Sequence, residues 1–197
     1  MRLTAAAAAY APDAHAKLPN PAISVDPRES VPIMTWKGSV KTMTGLKLPP
    51  VYQLGYVVRN IDEACKFYES TYGVGPFHII NEVDMEGAIL RGTPISTKIK
   101  VAFAKSDKIE LEFIEPLQGD NLYTEFLREK GDGIHHLAFV VDDMDIWKKE
   151  FAAKGFEPVF HHDMVVVEFA YFDTSVFGGL MLELLQWKDG GQPKISE

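Results

Sequence analysis

The sequence predicts an α+β fold made from two tandem copies of a strand–helix–several-strands unit, and three observations predict it. Tyr52-Gln53-Leu54-Gly55-Tyr56-Val57-Val58 recurs as His135-His136-Leu137-Ala138-Phe139-Val140-Val141, so position 52 maps to 135. Each run leads through a polar or acidic turn into a helical stretch that a glycine stops, Gly73 and then Gly155, with a proline three residues on, Pro76 and Pro158. A strand carrying a carboxylate lies late in each half: Ile109-Glu110-Leu111-Glu112-Phe113 and Leu180-Met181-Leu182-Glu183-Leu184. One such unit buries its apolar face poorly alone, and pairing two copies makes a core.

The elements follow in chain order. Seven of the twelve prolines lie in the first fifty residues. Proline fixes φ and removes an amide donor, so residues 1–48 are expected to form an extended arm rather than a regular element. The opening Met1–Ala9 is a poor export signal, because its alanines are weakly apolar and Arg2 is its single cation. The first module spans 51–118. Its helix, about Ile61–Tyr72, starts at Asn60 with Glu63 at capping-box spacing and ends before Gly73. A linking helix, about Leu122–Lys130, carries Leu122, Phe126 and Leu127 at helical spacing. The second module spans 132–187, with a helix at about Met144–Lys154 after Asp142-Asp143.

Composition narrows the function. The 197 residues are 46% hydrophobic and 24% charged, which is globular. No stretch approaches the roughly 20 apolar residues of a membrane span. A net charge of −8 argues against nucleic-acid binding, which needs clustered cations. One cysteine, Cys65, excludes an internal disulfide and a cysteine-based zinc cluster, and fits a reducing, cytoplasmic setting.

Four polar residues stand where the pattern wants apolar ones. Side chains of a strand alternate between faces, so Gln53 shares its face with Gly55, and His136 shares its face with Ala138. The small neighbour leaves room. Glu112 shares a face with Glu110 and Ile114, and Glu183 with Met181 and Leu185. A glutamate between Met and Leu costs several kcal/mol or more to bury unpaired. If the copies pair about a pseudo-two-fold axis, Gln53 approaches His136 and Glu112 approaches Glu183. An amide oxygen, an imidazole nitrogen and two carboxylates then make a site for a five- or six-coordinate divalent cation. Each residue alone is better explained as a hydrogen-bonded or solvated group; their shared place in the repeat is what selects the metal reading. Glu110 and Glu115 are read as solvated strand residues, and His135 as structural, on the face opposite His136.

These motifs resemble the vicinal oxygen chelate superfamily, the group of glyoxalase I, methylmalonyl-CoA epimerase and the extradiol dioxygenases. The resemblance covers Val51–Trp187 within a domain of residues 49–190. It implies paired βαβββ modules forming a curved mixed sheet around a central cavity. It implies metal ligands at Gln53, Glu112, His136 and Glu183, one divalent ion (Zn, Ni, Co, Mn or Fe) and a homodimer. The ligand set matches eukaryotic-type glyoxalase I, yet Val57, Pro116 and Asp132 stand where that enzyme's glutathione-binding residues belong. Leu111–Leu117 and the doubled His135-His136 look closer to the epimerase-like branch.

The implied activity is that of a metal-dependent isomerase, epimerase or lyase removing a proton next to a carbonyl of a small molecule. Glu183 is then ligand and acid/base, and Glu112 ligand and second base. A ring-cleaving dioxygenase and a metal-free binding protein are the alternatives, and Gln53 counts against the first. Phe160–Asp163 and Phe169–Phe172 are candidates to line the cavity, but Phe169 and Phe172 are better explained as core and Tyr171 equally well by either. His161-His162 reads as a loop, with a polar cavity rim as the alternative. Lys98 and Lys100 either meet an anionic substrate or form a solvated face.

Overall fold

The structure, a computed structural model, describes residues 47–175 and 178–188. The arm expected over residues 1–48 lies, save for its last two residues, outside the described residues. The elements are β1 (Gln53–Val57), α1 (Ile61–Tyr72), β2 (His78–Asp84), β3 (Ala88–Leu90), β4 (Thr93–Ile95), β5 (Lys98–Ser106), β6 (Ile109–Gln118), α2 (Leu122–Lys130), β7 (Gly133–Val140), α3 (Met144–Ala152), β8 (Pro158–Asp163), β9 (Val167–Phe172) and β10 (Met181–Trp187). The expected helices are present, with α3 ending at Ala152. At α1 the Asn60 side chain accepts the Glu63 amide at 3.1 Å, and Gly73 closes the helix at φ 67°, a left-handed conformation glycine adopts without strain.

All ten strands form one sheet, in the order β2-β5-β6-β1-β7-β10-β9-β8-β3-β4. Its centre is the antiparallel pair of β1 and β7, the two repeat strands, each flanked by a parallel carboxylate strand, β6 or β10. The modules read outward alike, β1-β6-β5-β2 and β7-β10-β9-β8, which is the pairing the repeat predicts. The unequal spacing of the two repeat signals also has a structural cause. Residues 85–97 join β2 to β5 and include the β3–β4 hairpin, whereas residues 164–166 alone join β8 to β9.

That hairpin shows how far the sheet curls. Strand β3 follows β2 by only three residues but pairs with β8 toward the opposite edge. The link from Asp84 to Ala88 reaches at most about 14 Å, while a flat sheet would separate those strands by about 40 Å. The sheet must therefore close on itself around a cavity.

Alternation along each strand sorts the core into layers. On the outer face, α1 packs Ile61 and Cys65 against Ala102 and Phe113, and α3 packs Met144, with Trp147 and Phe151, against Phe139, Phe172 and Leu184. On the inner face, Ile99, Val101, Phe169, Tyr171 and Leu185 belong to one cluster that α2 completes with Leu122 and Tyr123.

Candidate metal centre

The inner face of the four central strands carries the predicted polar residues. Register places Gly55 between Glu112 on β6 and His136 on β7. The absent side chain is essential there. A Cβ on Gly55 would stand 1.8 Å from His136 Cε1 and 2.1 Å from Nε2, so the imidazole lies directly over the glycine. Thus placed, His136 Nε2 is 3.3 Å from Glu112 Oε2 and 3.1 Å from Glu183 Oε2. Ligand atoms of the three residues all fall within 4.8 Å of one another.

The donor atoms fit a cation. His136 is fully buried and Glu183 nearly so, yet His136 Nε2 and Glu183 Oε2 have no hydrogen-bond partner among the described residues. Buried polar atoms are rarely left unsatisfied, and these converge on one point. One imidazole nitrogen and two carboxylates form a hard-to-borderline set that suits a divalent transition-metal ion.

Charges in the cluster are strongly coupled. Burial disfavours an imidazolium at His136, but the carboxylates of Glu183 and Glu112 outweigh it and push the group up to about 9. Burial pushes the Glu112 carboxyl up to about 7, with Glu183 and Glu110 adding to it and His136 opposing. A metal ligand must be deprotonated, so a cation here competes with a proton.

Gln53 takes a different partner from the one expected. It lies opposite Ala138 on β7 and Glu110 on β6, while Gly55 occupies the place opposite His136. Its Nε2 donates to Glu110 Oε1 at 2.8 Å. An ionised carboxylate accepts only, so this bond fixes the amide orientation and turns the carbonyl oxygen away from Glu110. Gln53 lines the same cavity as Glu112 and Glu183.

Four expectations about surrounding residues require correction. Glu110 is not solvated: it is 1% exposed, and besides Gln53 it accepts from the Tyr52 hydroxyl at 3.3 Å and lies 3.7 Å from Lys105 Nζ. Burial raises its carboxyl above the ordinary range, although Lys105, Gln53 and Tyr52 oppose the rise. Glu115 is half-buried and accepts the Ile61 amide at 2.8 Å, anchoring the start of α1. His161 and His162 lie within β8, opposite Ala170 and Phe169, and not in a loop.

His135 is the fourth. The register of β7 slips between the pairs Gly55–His136 and Tyr56–Ile134, a bulge that leaves His135 without a partner on β1. The bulge breaks the alternation that assigned His135 to the opposite face, and the two imidazoles meet with Nδ1 atoms 3.0 Å apart. Burial, followed by the charges of His136 and Lys130, pushes His135 down to about 2, so its ring is neutral. If His136 presents a lone pair at Nε2, its proton sits on Nδ1 and is donated to His135. Such an outer bond commonly fixes the tautomer of a metal-binding histidine.

Lys98 and Lys100 pair with Glu82 at 2.7 Å and Asp62 at 2.8 Å, away from the cavity. Tyr171, left open by the sequence, lines the cavity with Tyr123, and their hydroxyls are 3.1 Å apart. Phe169 lines it as well, whereas Phe172 belongs to the outer core under α3. Tyr123 escaped sequence reasoning because a tyrosine in the first turn of a helix gives no signal of which face of a distant sheet it meets.

Comparison with known proteins agrees with this architecture. A family model described as the glyoxalase/bleomycin resistance protein/dioxygenase superfamily matches residues 52–171. An uncharacterised protein of Bacillus subtilis (strain 168), YqjC, is 34% identical over 87 residues, 44% of this chain and 54% of that protein. The match thus spans about half of that relative's length. Among solved structures, methylmalonyl-CoA epimerase from Mycobacterium tuberculosis superposes with a TM-score of 0.56 at 19% identity, over 75% of this chain and 94% of that one. The Streptomyces coelicolor methylmalonyl-CoA epimerase, in complex with 2-nitronate-propionyl-CoA, gives 0.56 at 20%, over 75% and 100%. At such identity these neighbours establish the fold. With the family model covering more than half its length, the chain belongs to the glyoxalase/bleomycin resistance protein/dioxygenase superfamily, also called the vicinal oxygen chelate superfamily.

Proposed function

We propose that this protein is a metal-dependent isomerase, epimerase or lyase that removes a proton next to a carbonyl of a small organic molecule. Gln53, Glu112, His136 and Glu183 would hold the metal. The observation that carries this reading is the pair of buried, unpartnered ligand atoms, His136 Nε2 and Glu183 Oε2, 3.1 Å apart with Glu112 beside them.

When bound, a divalent cation supplies positive charge that draws electron density from a carbonyl oxygen and makes the neighbouring C–H more acidic. The chain's own residues do the rest. Glu183, a buried carboxylate in the cavity wall 3.1 Å from His136 Nε2, is the first candidate base. Glu112, the other carboxylate lining the cavity, is the second. His136 is clamped between Gly55 and His135 and serves to hold rather than to move. Ile99, Val101, Phe103 and Leu185 wall the cavity and exclude water from the proton in transit. The fold shared with methylmalonyl-CoA epimerases supports the epimerase-like branch.

The test is solvent deuterium exchange into α-keto, α-hydroxyketone and 2-methyl thioester compounds, on protein of known metal content purified without chelator. Metal-dependent label at the carbon next to the carbonyl is expected. Glu183→Gln keeps a ligand oxygen but cannot take the proton, and should slow exchange by about 10²- to 10⁴-fold. Metal-loaded protein that exchanges none of the panel would overturn the proposal, as would protein that retains no metal.

A further inference from the structure

The walls of the cavity bear on what enters it. The cavity measures about 200 Å³ and opens beside Ile80 and Val166, both partly exposed. Apart from Gln53, Glu112 and Glu183, its lining is almost wholly apolar, and no lysine or arginine is among the described residues that form it. A divalent cation balances the charges of Glu112 and Glu183 but leaves nothing to balance a further anion.

The unspent polar groups are neutral donors. Tyr123 and Tyr171 are 2% and 1% exposed and bond only each other among the described residues, so one of their two hydroxyl protons has no acceptor. Phenols are protonated at neutral pH, so both hydroxyls are neutral donors. Trp187, further along the same face of β10 as Glu183, also lines the cavity, and its indole Nε1 is buried without a partner. Gln53 gives one of its two amide protons to Glu110 Oε1.

We infer that the part of the substrate entering the cavity is an uncharged, mainly apolar group, aryl or branched alkyl, bearing neutral oxygen atoms that accept from the Tyr123–Tyr171 pair and Trp187. This rests on the proposed function for which end faces the ligand cluster. An apolar body matches the walls by area, and neutral acceptors satisfy donors that are otherwise buried unpaired. A carboxylate carried into the same space would be desolvated without a counter-charge. Tyr171 and Trp187 are then specificity-determining residues.

The experiment compares two probes that share a head group and differ in distal charge, methyl 4-(hydroxyacetyl)benzoate, whose ester is a neutral acceptor, and the free acid 4-(hydroxyacetyl)benzoate. Each is titrated calorimetrically into manganese-loaded protein, with bound metal and deuterium exchange measured on the same samples. The neutral probe should bind at least about tenfold more tightly, the penalty for an unpaired buried charge being larger than that. Tyr171→Phe and Trp187→Phe should each weaken the neutral probe by about three- to tenfold and leave metal content unchanged. Equal or tighter binding of the carboxylate overturns the inference, as does failure of the neutral probe to bind, or insensitivity of the neutral probe to both variants. A charge preference with no exchange would instead count against the proposed reaction alone. Exchange without the preference would count against the inference alone.

Discussion

Gln53 in the first module and His136 in the second occupy equivalent repeat positions, yet each is held by a different chemistry. Gln53 is oriented by a carboxylate two strand positions from Glu112: Glu110 accepts its amide proton and is backed by Tyr52 and Lys105. His136 is oriented by a neutral imidazole, which a bulge in its own strand brings to its Nδ1. Where module one has Glu110, the equivalent place in module two is Met181. The duplicated backbone delivers the proposed ligands to one face of the sheet, while each copy has its own means of aiming them. An amide needs only its two ends told apart. An imidazole needs its ring plane and its tautomer fixed, and Gly55 and His135 divide that task.

The comparison can be broken most severely at Gly55. Gly55→Ala puts a methyl where the His136 ring lies, and the backbone beneath cannot retreat without disturbing β6 and β7. Metal content measured by atomic emission should fall to background. Thermal unfolding of the metal-free variant should show a further loss of about 1–3 kcal/mol from overpacking.

Only one of the two equivalent side chains titrates, and that sets the next prediction. The folded-state value of His136, about 9, lies above its ordinary 6.5, so its protonation stabilises the metal-free fold fully below pH 6.5, and this is lost as pH rises through 9. Glu112, raised from 4.5 to about 7, acts in the same sense over its lower window. Chemical denaturation of metal-free protein should therefore show stability falling between pH 6.5 and 9. His136→Gln, which makes the second module resemble the first, should flatten the curve above pH 7. Metal binding near pH 7 should release protons, measurable as a buffer-dependent calorimetric heat.

Removing the supports gives smaller effects. His135→Ala leaves His136 Nδ1 without its acceptor and should weaken metal binding by about 10- to 100-fold, read by competition with a chromophoric chelator. Glu110→Gln lets the facing amides pair in either orientation, so Gln53 loses its bias. Metal affinity should fall by about fivefold, the worth of one ordinary hydrogen bond. If Glu110→Gln costs more than His135→Ala, the assignment of the stronger support to the second module is wrong.

Much of this was legible in the sequence because a repeat compares the chain with itself. Gln53 with Gly55 and His136 with Ala138 were readable as polar residues beside small ones, and Glu112 and Glu183 as carboxylates in equivalent strands. The missed features depend on relations across the sheet. Glu110 resembles a solvated strand residue until the register of β1 on β6 sets it opposite Gln53. Strict alternation puts His135 on the face opposite His136, and a single bulge cancels it. His161 and His162 looked loop-like, but β9 supplies partners for their backbone. The β3–β4 hairpin is short, and its existence depends on a curled sheet bringing β8 within reach.

The most direct measurement is the X-ray absorption fine structure of protein loaded with one equivalent of zinc, compared with Gly55→Ala. One imidazole and otherwise oxygen ligands in the first shell, with the imidazole signal gone in the variant, is the predicted result. A first shell without imidazole, or one that Gly55→Ala leaves unchanged, would place the metal elsewhere and contradict the account.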